Sequence, residues 1–422
     1  MRVAHLLRKY NPIEWGGTET AIQRLFEGLR KQSVDSVVYC PKIQVEDAVH
    51  DPLRSAGCRI ERFKAFMPIW GISGREKQEM ISMGGNLMSF DLITSLWRER
   101  SISVIHTHAL GRIGAIGLTI ARRRRLPLVA SIHGGVLDLP QKVKASFDNP
   151  ERKGFDWGRI FGWLLRSHGL LNEADAIVTC NPKEAALWQN KFPHKHVLVQ
   201  PHGVPVETYQ KDHRQKALDS FPEIKNRKVL LCVGRIDSIK NQAWLVQQAP
   251  AIIKNHPQMI LVLAGACTEE KYGKHIEKEI QRLGLGGNVL LTGGLPPGDP
   301  RLIGLMQQAE MLILSSVSET FGLVLLEAWA AGTAVISSRT SGATTLIKER
   351  ENGWLFDLEK PETFHAAIDE ALGNDDLRKQ FAARGGRLAT NEYNTDVLAT
   401  RMKNLYEQLI EEKHAPGHST RR

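Results

Sequence analysis

Residues 315–338, SSVSETFGLVLLEAWAAGTAVISS, constrain what this chain can fold into more than any other stretch. An apolar run at 311–314 precedes them, about ten residues without a helix breaker lead to Gly332, and a second apolar run follows at 333–336. The pattern predicts strand, loop, helix and strand, with Gly332 in the left-handed conformation that ends many helices. Strands this short and apolar are typical of a buried parallel sheet.

Two carboxylates border the start of the predicted helix, 322–331. Glu327 is the one charged residue in an otherwise apolar segment, so it should be buried, and a buried carboxylate costs several kcal/mol unless a partner binds it. Glu319 precedes the helix in the loop, near backbone N–H groups that favour an anion. Hydroxyl-binding carboxylates beside an anion-binding helix end predict a sugar-nucleotide pocket. An ordinary loop acid and a core acid paired with a lysine are the alternative.

Composition places the chain among soluble globular proteins and suggests two domains. It has 422 residues, of which 42% are hydrophobic and 24% charged. No apolar run approaches the ~20 residues that span a bilayer, and the N-terminus lacks a signal-peptide core, so we expect a cytoplasmic protein. The five cysteines have no metal-ligand spacing, which favours reduced, buried thiols.

The excess of positive charge lies entirely in the first half. Residues 1–205 hold 29 Lys and Arg against 19 Asp and Glu, whereas the remainder holds 27 of each. Such a field suits an anionic partner, whether a membrane surface, a phosphorylated acceptor or nucleic acid, and peripheral contact with the inner face of an anionic membrane is one of these expectations. A solvated basic surface is the alternative. Residues 66–100 mix aromatic and Met side chains with bases, as either an acceptor-binding or membrane-facing surface or a core would.

Alternating strands and helices recur along both halves. Apolar runs that end in small residues predict strands at 3–7, 36–40, 104–108, 126–132, 176–180 and 197–201, and again at 228–233, 260–265, 288–293, 311–314 and 333–336. The α/β pattern predicts two Rossmann-like domains with parallel sheets, 1–206 and 227–395. We expect a linker at 207–226, a helix at 396–412 that crosses back to the first domain, and a disordered tail at 413–422.

Two features of the first half lie where strands are predicted to end. Gly16 and Gly17 separate the first strand from a helix, which would let the backbone approach a ligand closely. His133 ends an apolar strand before two glycines, at the edge of the sheet where α/β proteins bind ligands. A tight turn and a structural histidine are the alternatives.

The segments 233–240, VGRIDSIK, and 319–327, ETFGLVLLE, resemble the retaining glycosyltransferases of family four, which have the GT-B architecture. The resemblance covers essentially the whole chain and implies that the two parallel sheets face each other across a cleft. It implies transfer of a hexose from a nucleotide diphosphate sugar, UDP-linked before GDP-linked, to a saccharide or lipid-linked acceptor in polysaccharide or lipopolysaccharide biosynthesis. No metal or other cofactor is implied.

The resemblance also assigns roles to residues. Arg235 and Lys240 would neutralise the departing diphosphate, and Glu319 would bind the donor sugar and Glu327 the ribose. Donor contacts would also come from the residues Gly16, Gly17, Gly293, Phe321, Gly322 and Leu323. The catalytic set would be His133, Arg235, Lys240 and Glu319, with His133 orienting the reacting groups while the acceptor proton passes to the diphosphate.

The chain departs from the family pattern at two places. His202 replaces the usual Asn before Gly-Val, and 341–345, SGATT, replaces the usual Gly-Gly-x-Pro-Glu run; both bear on base or sugar preference. A related phosphorylase, a sugar-nucleotide epimerase and a non-catalytic glycan-binding relative are the alternatives. Nucleic-acid binding is disfavoured because the bases lack an aromatic-basic motif, and a dinucleotide oxidoreductase because the spaced glycine fingerprint is missing.

Overall fold

A computed structural model describes residues 1–12, 17–42, 51–82, 86–132 and 155–415. The chain divides into two compact units. Unit 1 comprises Met1–Pro201 together with Asp396–Arg422, and unit 2 comprises His202–Thr395. Each unit is built on its own parallel sheet, so the prediction of two Rossmann-like domains is confirmed.

Unit 1 contains a seven-stranded parallel sheet in the order β3-β2-β1-β5-β6-β8-β9. Its strands are β1 Arg2–Leu6, β2 Asp35–Pro41, β3 Arg59–Phe63, β5 Val104–Thr107, β6 Leu128–Ile132, β8 Ala176–Thr179 and β9 His196–Val199. A separate antiparallel pair joins β4 Ile69–Trp70 to β7 Phe155–Asp156. The described helices are α1 Gly17–Lys31, α2 Pro52–Ser55, α3 Gly74–Ser82, α4 Phe90–Arg98, α5 Arg112–Arg124, α6 Arg159–Leu164, α7 Leu170–Glu173 and α8 Pro182–Lys191.

Helices pack against this sheet through small and apolar side chains. In α5 a Cβ added at Gly114 would lie 2.0 Å from the Ala109 carbonyl oxygen, and one at Gly117 would lie 2.6 Å from Leu6 Cδ1. Only glycine permits these close approaches, which let α5 pack directly on the sheet. The sheet residues of the resulting core are almost fully buried.

The last helix, α18 Thr395–His414, lies against the sheet of unit 1. Met402, Leu405 and Tyr406 pack in one core cluster with the β1 residue Val3. The Tyr406 hydroxyl is 2.6 Å from His106 Nδ1, so a buried polar contact anchors the helix as well. Residues 396–412 therefore belong to the fold of the first unit although they follow the second in sequence.

Unit 2 contains a six-stranded parallel sheet in the order β12-β11-β10-β13-β14-β15. Its strands are β10 Lys228–Val233, β11 Met259–Ala264, β12 Val289–Gly293, β13 Ala309–Leu314, β14 Ala334–Ser338 and β15 Trp354–Phe356. Its helices are α9 Val206–Gln210, α10 Arg214–Ser220, α11 Gln242–Asn255, α12 Glu270–Arg282, α13 Pro300–Gln308, α14 Leu323–Ala330, α15 Ser341–Leu346, α16 Pro361–Gly373 and α17 Asp375–Asn391.

The segment predicted as a linker, 207–226, is folded into unit 2. Gln307 at the end of α13 donates from Nε2 to the Tyr209 carbonyl oxygen at 2.9 Å, and its Oε1 accepts from the His213 backbone N–H at 2.8 Å. The division between the units falls at residue 202 instead. The charged residues and the proline at 222 are typical of a linker, so the local sequence predicted one. The contacts with α13 join residues that are far apart in the sequence, and local composition does not reveal them.

Four of the described strands were not predicted: the edge strands β3 and β15, and the two-residue strands β4 and β7 of the separate antiparallel pair. Among the helices in the described part of the chain, none has the length and apolar character needed to cross a membrane.

Candidate functional site

The candidate site of unit 2 lies where the strand order of its sheet reverses. From β10 the chain proceeds outward to β11 and β12, then returns to place β13 on the other side of β10. The loops after β10 and β13, residues 234–241 and 315–322, therefore leave the same edge of the sheet as neighbours. In doubly wound sheets this switch point is where ligands bind.

Hydrogen bonds join these two loops. The Ser315 hydroxyl lies 3.1 Å from the carbonyl oxygens of both Lys240 and Asn241. The Val317 backbone N–H donates to the Ile239 carbonyl oxygen at 2.8 Å. Because Ser315 is fully buried, the two loops are held in one fixed arrangement.

Asp237 organises the two predicted cations. Its carboxylate is buried; Oδ2 is 3.2 Å from Arg235 Nη2, and Oδ1 accepts from the Lys240 backbone N–H at 2.9 Å. Gln242, also buried, donates from Nε2 to the Arg235 carbonyl oxygen at 2.7 Å. Neither Asp237 nor Gln242 was among the predicted site residues, although Asp237 lies within the Gly-Arg-x-Asp segment that signalled the site.

Lys240 and Glu319 meet across the loops. The Lys240 ammonium contacts the Glu319 carboxylate, and the two side chains are 20% and 17% exposed. Restricted access to water weakens screening, so this charge pair interacts more strongly than a surface pair would. The sequence placed both residues at the site, and the contact between them is a finding of the structure.

Helix α14 begins directly beside Glu319. Its N-cap, Gly322, has φ 87°, a left-handed conformation that glycine adopts without strain, and no side chain of the described residues caps the helix. A Cβ at Gly322 would lie 3.7 Å from Glu319 Cγ. Leu323 opens the helix, so the predicted anion-binding end of α14 and the Glu319 side chain are adjacent.

Phe321 and Glu327 are buried on either side of this helix start. The Phe321 ring packs edge-on against His202, with the ring centroids 4.9 Å apart. Glu327 is 5% exposed, as predicted for the one acid of an apolar helix. His202, one of the two departures from the family pattern, thus supports a residue of the candidate site.

The other departure, at 341–345, forms the start of helix α15 and holds the Glu319 backbone. The Gly342 N–H donates to the Glu319 carbonyl oxygen at 2.8 Å, and the Ser341 hydroxyl donates to the same oxygen at 3.2 Å. These contacts position the loop that carries Glu319. Sequence spacing carried no signal for that contact.

The remaining predicted residues are spread more widely. Gly293 has φ 71° at the end of β12, two strands away from β10. Gly17 is the first residue of α1 in unit 1. Gly16 and His133 lie outside the described residues. The structure thus brings together Arg235, Lys240, Glu319 and the start of α14, while the roles of all the predicted site residues stay predictions.

Three histidines of unit 1, His5, His106 and His108, are close enough together to share a metal ion, with candidate ligand atoms within 4.8 Å of one another. However, His106 Nδ1 and Nε2 each lie 2.6 Å from a hydroxyl, of Tyr406 and Ser131 respectively. His5 Nδ1 is 3.2 Å from His108 Nε2. Since a metal would have to displace a hydroxyl from His106, the arrangement fits a hydrogen-bonded network better than a metal centre.

Family models match both units. The model described as "Glycosyl transferase 4-like domain" matches residues 16–203, and the one described as "Glycosyl transferases group 1" matches residues 213–387. The D-inositol 3-phosphate glycosyltransferase of Jonesia denitrificans is 27% identical over 320 residues, covering 72% of this chain and 71% of the relative. That of Corynebacterium diphtheriae is 22% identical, covering 96% of this chain and 94% of the relative.

Solved structures match the fold along nearly the whole chain. HepE of Anabaena, crystallised with UDP, has a TM-score of 0.71 at 16% identity, covering 97% of this chain and 100% of HepE. WaaG, a glycosyltransferase involved in lipopolysaccharide biosynthesis, has a TM-score of 0.59 at 17% identity, covering 98% and 100%. With both units matched in order by family models, and the whole fold by these structures, the chain belongs to the family-four-like glycosyltransferases of GT-B architecture and is an enzyme that transfers a glycosyl group.

Proposed function

We propose that this enzyme transfers a hexose from a UDP-sugar to a hydroxyl group of a saccharide or lipid-linked acceptor, with retention of the anomeric configuration. The contact of Lys240 with Glu319 beside the start of α14 is the observation that carries the proposal. It puts a cation, a carboxylate and a helix N-terminus at one point of the sheet edge. A nucleotide diphosphate sugar presents the matching groups, an anionic diphosphate next to sugar hydroxyls.

Charge balance supports transfer chemistry at this point. When the bond between C1 of the sugar and the diphosphate oxygen breaks, the electron pair leaves with the diphosphate. Lys240, Arg235 and the helix start would stabilise that developing charge, and preorganised charges of this kind contribute several kcal/mol. The acceptor oxygen bonds to C1 on the same face, and its proton passes to the departing diphosphate oxygen, so no enzymic nucleophile is required.

The preference for UDP rests on the relatives. Structures of HepE, similar to this chain in fold, contain UDP alone, UDP with glucose, or UDP-glucose. GDP is the second candidate base. The cationic groups named above also support our proposal that no metal ion is needed, which treatment of the enzyme with a chelator before assay would test.

The acceptor is assigned only as a class. Several relatives are named D-inositol 3-phosphate glycosyltransferases, which makes a phosphorylated polyol a member of the panel to be tried. A basic first half, with 29 bases against 19 acids in residues 1–205, suits an acceptor that carries phosphate, whether as a free sugar phosphate or within a lipid-linked intermediate.

The experiment is a nucleoside diphosphate release assay against UDP- and GDP-sugars, with and without acceptor, followed by determination of the product's anomeric configuration. Lys240→Met should lower kcat/KM roughly 10²- to 10³-fold, the usual loss when one transition-state charge partner is removed. Lys274→Met is the matched control, because Lys274 forms an exposed pair with Glu270 on α12, with Nζ 2.6 Å from Oε1.

Specific outcomes would reject the proposal. Unchanged turnover of Lys240→Met would remove this pair from the mechanism, and an inverted product would exclude retention. Product formation that requires inorganic phosphate would favour a phosphorylase. Failure of every donor to bind or raise the melting temperature would favour a non-catalytic glycan-binding relative.

A further inference from the structure

Unit 1 exposes an unusual set of large apolar side chains. Within the described residues, six that are exposed fall between positions 70 and 164, namely Trp70, Phe90, Trp97, Ile160, Trp163 and Leu164. We call these six side chains the aromatic surface. Trp163 is 75% exposed and Trp70 63%, so most of the surface of each residue is accessible to water. Large apolar groups exposed together mark interaction surfaces in soluble proteins.

Ring contacts connect the elements that carry this surface. The Trp157 ring lies 6.1 Å from Trp70 and 5.6 Å from Phe161, measured between centroids, and Phe161 lies 5.8 Å from Phe90. Strand β4, helix α4 and helix α6 are thereby joined through one aromatic cluster. The exposed side chains thus belong to a packed structure and not to separate loops.

Helix α6 shows how the surface is built. Phe161 points into the aromatic cluster, whereas Ile160, Trp163 and Leu164 are exposed. Positions i, i+3 and i+4 lie on one face of a helix, so these three residues form a single apolar stripe directed to solvent. Inward packing of Phe161 holds the stripe in place, which lowers the entropy lost when a partner covers it.

Arginines border the other end of the surface, at Trp97. Phe90 and Trp97 are seven residues apart on α4 and so share a face of that helix. The Arg100 guanidinium lies 5.3 Å from the Trp97 ring centroid, and Arg124 donates to the Leu96 and Glu99 carbonyl oxygens, both at 2.9 Å. Burial and the nearby charge of Arg100 lower the pKa of Arg124, in keeping with cations crowded at this end.

Further exposed arginines lie on helices α4, α5 and α6, close in sequence to the residues just described. Arg98 follows Trp97 on α4, Arg123 and Arg125 end α5, and Arg159 begins α6. The net charge of +10 belongs to residues 1–205, in which 29 bases stand against 19 acids. Exposed tryptophan and leucine side chains together with exposed arginines match the boundary of an anionic bilayer, where aromatic rings lie at the headgroup level and bases meet lipid phosphate.

We infer that the aromatic surface of unit 1 docks the enzyme on an anionic lipid bilayer, with Trp163 and Trp70 entering the headgroup region and the arginines contacting lipid phosphates. The surface belongs to unit 1, whereas the proposed donor site belongs to unit 2. In combination with the proposed function, on which this second step rests, it narrows the acceptor to one carried by a lipid in that bilayer.

Vesicle sedimentation of the full chain tests the inference. The protein should bind vesicles of phosphatidylglycerol and phosphatidylcholine and bind pure phosphatidylcholine weakly. A triple variant that combines Ile160→Ser, Trp163→Ser and Leu164→Ser should lower the partition coefficient into vesicles roughly ten-fold or more, because it removes apolar surface that the bilayer would otherwise bury. Arg159→Ser should lower it roughly five-fold, the equivalent of about 1 kcal/mol per base. Brominated lipid should quench tryptophan fluorescence less in Trp163→Phe than in the wild type.

The control variant is Leu187→Ser, which removes a side chain of similar exposure, 52%, from helix α8 outside the aromatic surface. It should bind vesicles as the wild type does, and all variants should keep the same melting temperature and the same affinity for the sugar nucleotide. Absence of vesicle binding, or binding that the α6 variant leaves unchanged, overturns the inference while leaving the proposed reaction intact. A dimer that dissociates in the α6 variant without any lipid effect would assign the surface to self-association instead.

Discussion

Gly342→Ala tests whether helix α15 positions the loop that carries Glu319. The φ of Gly342 is not in the left-handed region, so alanine fits its backbone conformation. Its Cβ, however, would lie 2.5 Å from the Phe321 nitrogen and 2.8 Å from the Glu319 carbonyl oxygen. Both neighbours are backbone atoms, which cannot rotate away, so the loop or the helix must move.

The required movement can be worked out from these distances. Real Cβ atoms essentially never approach closer than 3.0 Å, and approaches below 3.4 Å are rare, so the Phe321 nitrogen must retreat by roughly 0.5 to 0.9 Å. The same shift stretches the bond from the Gly342 N–H to the Glu319 carbonyl oxygen, now 2.8 Å. A misplacement near 1 Å costs up to about 10²-fold in rate, so we expect kcat/KM to fall roughly 10- to 100-fold.

The assay is diphosphate release, together with calorimetric titration of the UDP-sugar and a melting curve. Overpacking should also lower the free energy of unfolding by about 1–3 kcal/mol. Gly373→Ala is the control, since no atom lies within 4 Å of the Cβ it would add at the end of α16. A folded Gly342→Ala enzyme with wild-type donor affinity and turnover would refute the positioning role of α15.

Three further predictions concern buried and exposed groups of unit 1 and unit 2. Burial, and then the nearby charge of His108, lower the pKa of His5 well below its usual value, so the unfolded chain binds a proton that the folded chain refuses. The contribution of neutral His5 to the free energy of unfolding is therefore complete above about pH 6.5, and it falls by up to about 1.4 kcal/mol per pH unit below that value. Urea unfolding at a series of pH values should show that the free energy of unfolding of His5→Asn falls less steeply with decreasing pH than that of the wild type. Equal slopes for the two proteins would contradict this. Tyr406→Phe leaves His106 Nδ1 without its hydroxyl partner at 2.6 Å and should cost about 1–3 kcal/mol in urea unfolding, with turnover per folded molecule unchanged; a loss below the error of the measurement would mean that the contact does not anchor α18. A thiol reagent should label one group rapidly in the native enzyme, because only Cys267 of the five cysteines is exposed, and Cys267→Ser should abolish that fast phase; rapid labelling of a second thiol would disagree with the described burial.

The cysteines show what composition alone could and could not predict. The expectation of reduced thiols agrees with the structure, which describes all five as free. Burial raises the pKa of Cys40, Cys58 and Cys232 to about 12 and that of Cys180 to about 11. Cys267 corrects the expectation that every thiol is buried, because it follows the turn after β11 where the chain returns to solvent.

Local patterns determined most of the second unit. Apolar runs that end in glycine or small residues predict its strands, since a strand buried on both faces must be apolar throughout. The predicted left-handed Gly332 has φ 84°, and Glu327 is buried within α14. Edge strands β3 and β15 were missed because partial pairing and shorter runs leave a weaker pattern in the sequence.

The sequence by itself determined the class of the fold, the loops that carry the candidate site and the residues Arg235, Lys240, Glu319 and Glu327 within them. Tertiary structure alone decided which groups touch: Lys240 with Glu319, Gly342 with the backbone beside Phe321, and Phe161 with the rings beneath the aromatic surface. It also supplied the contacts by which α18, expected from the sequence to cross back to the first domain, packs in unit 1. The physical reason is the range of the interactions, since periodicity and turn chemistry act between neighbours in the chain, whereas these contacts join residues that only packing brings together.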